Sequence, residues 1–198
     1  MSQISKMKNY SLPKKLTGRP FSLKEALGQG LTKYALQQQL RNGSLIRLTR
    51  GVYKASSDGD LGVESQYQAA TIQCGLPSCV SLLSALEYYQ ITDQIPNRTW
   101  MLVPNEKRVQ SKKLKLIRSR NPQWDIGIRK SKTYWISTLE RTLIDCLLYK
   151  SLVGSQVSLE AIKKAVLQKK VKWGALYDMA KKMKVEHRVA SYIEALSA

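Results

Sequence analysis

The sequence predicts an α+β fold in two parts: a short basic part of helices and one hairpin, then a longer mixed α/β part with a helical end. Three observations carry this. The first is charge, because 33 Lys and Arg stand against 14 Asp and Glu, a net +19 over 198 residues, and residues 1–56 hold eleven of those bases with a single acid, Glu25. The second is "SSDGDLG", residues 56–62, small, polar and glycine-rich, which reads as a linker. The third is patterning. Before the linker two short helical segments lead into alternation, and after it helical and strand patterns interleave before three helical segments close the chain. The expected domains are 1–56 and 63–198.

In the first part, "RPFSLKEALGQG" places Ser22 three residues before Glu25, the spacing of a capping box that satisfies free N–H groups at a helix start. Leu23, Ala26 and Leu27 supply the apolar face, and "GQG" ends the helix, since glycine tolerates a left-handed cap. A second helix starts at Thr32 with "KYALQQQLRNG" as its body. Leu31, Leu36 and Leu40 face inward, whereas the 100° step puts Tyr34, Gln37, Gln38 and Arg41 outward. "SLIRLT" and "GVYKA" read as two strands joined at Arg50-Gly51, with Ile46, Leu48 and Val52 pinning the hairpin to the helices.

Helix, glycine turn, helix and hairpin, in that order, is the order of a winged helix-turn-helix. The second helix would lie in the major groove, with Lys33, Tyr34, Gln37, Gln38 and Arg41 reaching base edges. Arg47, Arg50 and Lys54 would project from the hairpin toward phosphates. A net charge this large repels itself unless an anionic partner is near, and nucleic acid is the commonest such partner.

In the second part, "VESQYQAATIQCG" and "LPSCVSLLSALEYYQI" read as helices, the latter with Pro77 at its start. "RTWMLVP" reads as a strand, "KLKLIRSR" as a strand with one buried and one basic face, and "DIGIRKSKTYWIS" as two short strands around "RKSK". Ser137 and Glu140 form a second capping box that opens "TLERTLIDCLLYKSL", and "SLEAIKKAVLQKK", "WGALYDMAKKMK" and "RVASYIEALS" follow as helices. Residues 107–120 gather Lys107, Arg108, Lys112, Lys113, Lys115, Arg118 and Arg120, with Arg129, Lys130 and Lys132 shortly after. Lys112, Lys113 and Lys115 are read as further phosphate contacts, continuing the basic surface.

Chemistry beyond binding finds little footing. The one histidine, His187, and three scattered cysteines do not make a zinc set or a catalytic triad. "GQG" lacks the rest of the dinucleotide fingerprint and of the phosphate-binding loop. The acids are dispersed, and Asp145, inside an apolar helix, has Arg141 one turn earlier as its ion-pair partner. The sequence therefore leads to no catalytic residue, no metal and no cofactor. A nucleic-acid-processing enzyme with its chemistry in the second domain stands as the alternative, and a protein-docking module as a third reading. Cys74, Cys79 and Cys146 form no paired motif, the N-terminus lacks the apolar core of a signal peptide, and no stretch approaches the roughly 18 apolar residues of a membrane span. Reduced thiols in the cytoplasm, away from membranes, are expected.

"FSLKEALGQGLTKYALQQQLRNGSLIRLTRGVY", then "LPSCVSLLSALEYYQITDQIP", then "ISTLERTLIDCLL" resemble, in this order and spacing, the AbiEi antitoxins of bacterial AbiE abortive-infection systems, which are type IV toxin–antitoxin pairs. The resemblance covers about residues 20–150. It implies a winged-helix DNA-binding domain followed by an α/β antitoxin domain. It also implies repression of the protein's own operon through inverted repeats in its promoter, and neutralisation of a nucleotidyltransferase toxin without a stable complex. A solitary DNA-binding regulator with no toxin partner would share this layout.

Overall fold

A computed structural model describes residues 12–60 and 62–197; the first eleven residues of the expected first domain and Leu61 of the expected linker lie outside them. Helices combine with two separate sheets, which makes the fold α+β. The chain divides into two compact units, 1–73 and 74–198.

The first unit grows from its helix caps. Strand β1 (Phe21–Ser22) runs directly into α1 (Leu23–Gly28). The Glu25 amide donates to Ser22 Oγ at 3.0 Å and the Ser22 amide donates to the Glu25 carboxylate at 2.9 Å, so the capping box is complete. Partial burial pushes the Glu25 carboxyl up, but the Ser22 amide and Arg19, 2.9 Å away, outweigh it and hold the group below its ordinary value. Helix α2 (Lys33–Arg41) starts with the Ala35 amide on Thr32 Oγ1 at 3.0 Å. Strands β2 (Leu45–Thr49) and β3 (Val52–Ala55) pair antiparallel, and β1 adds to β3, giving the order β1-β3-β2. The Leu23 amide donates to the Gly51 carbonyl at 3.0 Å, tying the hairpin tip to the start of α1. Leu16, Phe21, Ala35, Leu36, Leu45 and Tyr53 fill the core between helices and sheet.

Two details of this unit differ from the sequence reading. Leu27, expected on the apolar face of α1, is exposed, and Ala26 is the residue buried there. Ile46, expected to pin the hairpin, is 44% exposed, while Leu45, Tyr53 and Ala55 are buried. The cause is register. Leu45 pairs with Ala55 and Ile46 with Lys54, so the inner face begins one residue earlier than supposed and Ile46 turns outward with Lys54. A bulge between Arg47 and Thr49 then shifts the pairing, which leaves Leu48 half-buried.

Helix α3 (Gly62–Cys74) follows "SSDGDLG", yet all but its last residue group with the first unit. Tyr67, Ala70 and Thr71 are buried, and the Gln68 amide reaches back to the Pro20 carbonyl at 3.4 Å. The contact division thus lies one helix beyond the polar stretch.

The second unit is built on a five-stranded mixed sheet of order β6-β5-β4-β8-β7, from β4 (Cys79–Val80), β5 (Thr99–Pro104), β6 (Leu114–Ser119), β7 (Ile128–Lys130) and β8 (Trp135–Ser137). Strand β4, at its centre, falls where the sequence pattern predicts a helix. It pairs antiparallel with β5 and parallel with β8, and α4 begins only afterwards, spanning Leu82–Tyr88. Pro77 follows a cis bond instead of opening a helix. A strand of two residues shows no period, and with both residues fully buried it looks like any apolar helix segment.

Helix α5 (Leu139–Leu148) is the axis of this unit. Eight of its ten residues are buried, and it packs against α4, α7 (Ser155–Leu167), α8 (Trp173–Lys182) and α9 (Glu186–Ser197), with the short α6 (Lys150–Val153) closing its C-terminal end. Its cap is Thr138, whose Oγ1 accepts from the Arg141 amide at 3.4 Å, one residue later than the expected Ser137. Ser137 closes β8 and points into the sheet, where its Oγ lies 2.7 Å from Thr142 Oγ1 and 3.1 Å from Ser81 Oγ.

Candidate nucleic-acid interface

In the first unit, capping fixes where α2 starts, and burial of Leu31, Ala35 and Leu36 fixes which face it hides. The remaining face is then determined. Lys33, Gln37 and Arg41 are exposed, Tyr34 is 63% exposed, and Gln38 is half-buried. Gln39, the third glutamine of the run, turns inward and is buried. The strand β2 packs against α2, so the hairpin and this face belong to one rigid element pair.

Arg47 and Arg50 are exposed on the hairpin, Arg50 at its tip. Arg47 pairs with Tyr53 and so shares the inner face of the ribbon, but it lies nearer the tip than Leu45 and reaches solvent there. Lys54 differs from the others. Its ammonium donates to the Gly59 carbonyl and the side chain is half-buried, so it is held by its own unit. The structure thus assembles Lys33, Tyr34, Gln37, Arg41, Arg47 and Arg50 on exposed positions of one helix–hairpin pair, with Gln38 at its margin and Lys54 withdrawn.

The second unit has its own basic edge. β6 is the terminal strand, and a shallow groove of about 540 Å³ runs beside it, lined by Lys112, Lys115, Arg118 and Arg98. Lys112 and Lys113 are exposed, and Lys115 lies half-buried with its ammonium 5.8 Å from the centre of the Trp100 ring. Strict alternation of bases and apolar residues breaks within β6: Leu114, Leu116 and Arg118 share one face, Lys115 and Ile117 the other. Several cations of the cluster have structural duties. Arg118 Nε donates to the Lys107 carbonyl at 3.0 Å, and the Lys107 ammonium donates to the carbonyls of Gly75 and Leu76 at 2.9 and 3.0 Å. Arg129 donates to the Tyr88 hydroxyl at 2.8 Å, and Lys130 sits 4.9 Å from the Trp135 ring centre. Arg98 escaped the sequence reading. It precedes β5, and only the parallel pairing of Thr99 with Leu114 brings it beside the cluster, a register that no local pattern announces.

Asp145 and Arg141 form the ion pair expected of them, Nε to Oδ2 at 2.8 Å, with side chains 2% and 1% exposed. Burial pushes the Asp145 carboxyl up, and Arg141 together with Ser81, whose Oγ donates at 3.4 Å, offsets part of that. The Arg141 guanidinium also donates to the Ile126 carbonyl. Gly127 lies close by at a φ of +70°, and a Cβ there would meet Arg141 Cβ at 2.8 Å, so glycine is what lets β7 approach α5. Cys74, Cys79 and Cys146 are free, buried thiols, each pushed above its ordinary value by burial and so protonated at neutral pH. Among the described residues no group of three His, Cys, Asp or Glu side chains converges as a metal site would require, and no helix is long and apolar enough to cross a membrane.

No protein-family model matches the chain, and no curated protein matches it.

The buried pair makes a stability prediction. Asp145→Ala leaves the Arg141 guanidinium buried without its carboxylate and is expected to cost about 3–5 kcal/mol in urea unfolding, as breaking a buried pair typically does. A loss of less than about 1 kcal/mol, the size of an exposed pair, would contradict the geometry.

Proposed function

We propose that the protein is a sequence-specific DNA-binding autorepressor whose first unit is a winged helix-turn-helix, and that it is the antitoxin of a type IV toxin–antitoxin pair acting in the cytoplasm without enzymatic activity of its own. The observation that carries the DNA-binding half is the exposed face of α2 beside the exposed arginines of the β2–β3 hairpin. Amides and a guanidinium on a helix face suit base edges, which accept bidentate hydrogen bonds from both. Arg47 and Arg50 suit phosphates, whose neutralisation releases counterions and supplies most of the affinity. With eleven bases and one acid, residues 1–56 favour a polyanion over an ordinary protein partner.

The antitoxin half is supported by the resemblance of three stretches: the α1–hairpin segment, "SALEYYQITDQIP" and "TLERTLID". On this reading the operator is an inverted repeat in the protein's own promoter, which two protomers would occupy. The toxin is a nucleotidyltransferase that is neutralised without a stable complex. The enzyme alternative finds less support, since the one carboxylate that a buried site would use, Asp145, is already paired with Arg141.

Fluorescence anisotropy tests the repressor directly. At about 150 mM salt, where long-range charge is screened, the protein is expected to prefer its own upstream DNA over a shuffled duplex by about a thousandfold. Arg50→Ala is expected to weaken both and to lower the salt slope by about 1. Equal, weak binding to both duplexes would overturn the reading. Co-expression with the nucleotidyltransferase of its own operon is expected to restore growth while the two proteins fail to co-purify. Continued growth arrest would remove the antitoxin half and leave a solitary regulator.

A further inference from the structure

The second unit holds a cleft that DNA recognition by the first does not use. It has a volume of about 790 Å³ and opens where β6 ends, between the segment Arg118–Gln123 and the turn from α8 to α9. Its floor is the buried Arg141–Asp145 pair. The size is that of a small-molecule site, and the cleft lies at the carboxyl end of β6, a strand parallel to its neighbour β5.

The lining divides by chemistry. Arg120, Lys184 and Arg188 are exposed cations at its mouth, and none of them forms an ion pair among the described residues. Among the described residues the only carboxylate in the lining is Asp145, and Arg141 already neutralises it. The cleft therefore carries a positive excess aimed at an anion. Leu148 and Tyr149, both half-buried, supply an apolar and aromatic wall in the same cavity. A duplex backbone has no use for that wall, since it needs cations on an open face. A ligand with phosphates at one end and a flat apolar ring at the other uses both.

The cleft is also held in shape. Asn121 Nδ2 donates to the Met183 carbonyl at 2.8 Å and links the loop after β6 to the α8–α9 turn. The Gln123 amide donates to Asn121 Oδ1 at 2.9 Å, and the Asn121 amide to Ser119 Oγ at 3.2 Å, fixing that loop. We propose that this cleft is a nucleotide-binding site, taking phosphates on Arg120, Lys184 and Arg188 and the base against Tyr149 and Leu148.

Isothermal titration of the full chain with ATP, GTP, CTP and UTP at about 150 mM salt tests this, with inorganic pyrophosphate as the phosphate-only probe. At least one nucleotide is expected to bind saturably, one per chain, and about tenfold or more tighter than pyrophosphate. Two variants follow. Lys184 sits at a φ of 56°, so Lys184→Gly removes a cation while relieving left-handed backbone, and is expected to bind about tenfold more weakly with no fall in melting temperature. Arg188→Gln, on an exposed side chain, is expected to do the same. The proposal is overturned by any of three results: no saturable binding up to about 1 mM of any of the four, pyrophosphate binding as tightly as the best nucleotide, or both variants binding as the parent does. Displacement of the bound nucleotide by stoichiometric duplex DNA would give the cleft to nucleic acid and also overturn it. None of these outcomes bears on whether the first unit recognises an operator.

Discussion

Thirty-three cations and fourteen acids must be accommodated on two modest cores, and the placement of that surplus governs the rest of the structure. Only one ion pair is buried, Arg141 with Asp145, and the three others among the described residues involve exposed or half-exposed side chains. Exposed pairs contribute little to stability. The remaining cations are either pinned by carbonyls and aromatic rings, as Lys54, Lys107, Arg118 and Arg129 are, or left on the surface. Those left on the surface are the ones whose self-repulsion an anionic partner would relieve. In the first unit Lys33, Arg41, Arg47 and Arg50 lie on α2 and the hairpin, while Lys14, Lys15 and Lys24 are exposed outside that pair.

The second unit depends on its buried pair in a different way. α5 is buried nearly all round although it carries Glu140, Arg141, Thr142 and Asp145, so its polar groups need partners inside the core. Arg141 and Asp145 find them in each other, in the Ser81 hydroxyl and in the Ile126 carbonyl, and Gly127 allows the close approach. Ser137 and Thr142 bind the helix start to the strand that precedes it. Polar groups at the centre of this core are thus paired with one another and with the backbone.

Much of this was legible in the sequence, for identifiable reasons. The capping box at Ser22, the cap at Thr32, the exposed side of α2 and the partner of Asp145 all rest on interactions three or four residues apart, which a sequence displays directly. What was missed depends on distant pairing. Ile46 was misplaced because the hairpin register is set by the bulge near Arg47, and β4 went unseen because its neighbours, β5 and β8, lie far along the chain. The cap of α5 moved from Ser137 to Thr138 because the β8 strand claims Ser137 first. The withdrawal of Lys54 onto Gly59, and the arrival of Arg98 beside Lys112 and Lys115, likewise follow from the fold and from no local pattern.

The central claim is that the first unit reads DNA through α2 and the hairpin. Hydrogen–deuterium exchange of the full chain, alone and saturated with its own upstream duplex, tests it most directly. Slowed exchange is expected across residues 33–41 and 45–54, where side-chain contacts with DNA would quench the fraying of short elements. Protection confined to β6 and the loop before it, with α2 and the hairpin unchanged, would contradict the claim and place nucleic-acid binding in the second unit.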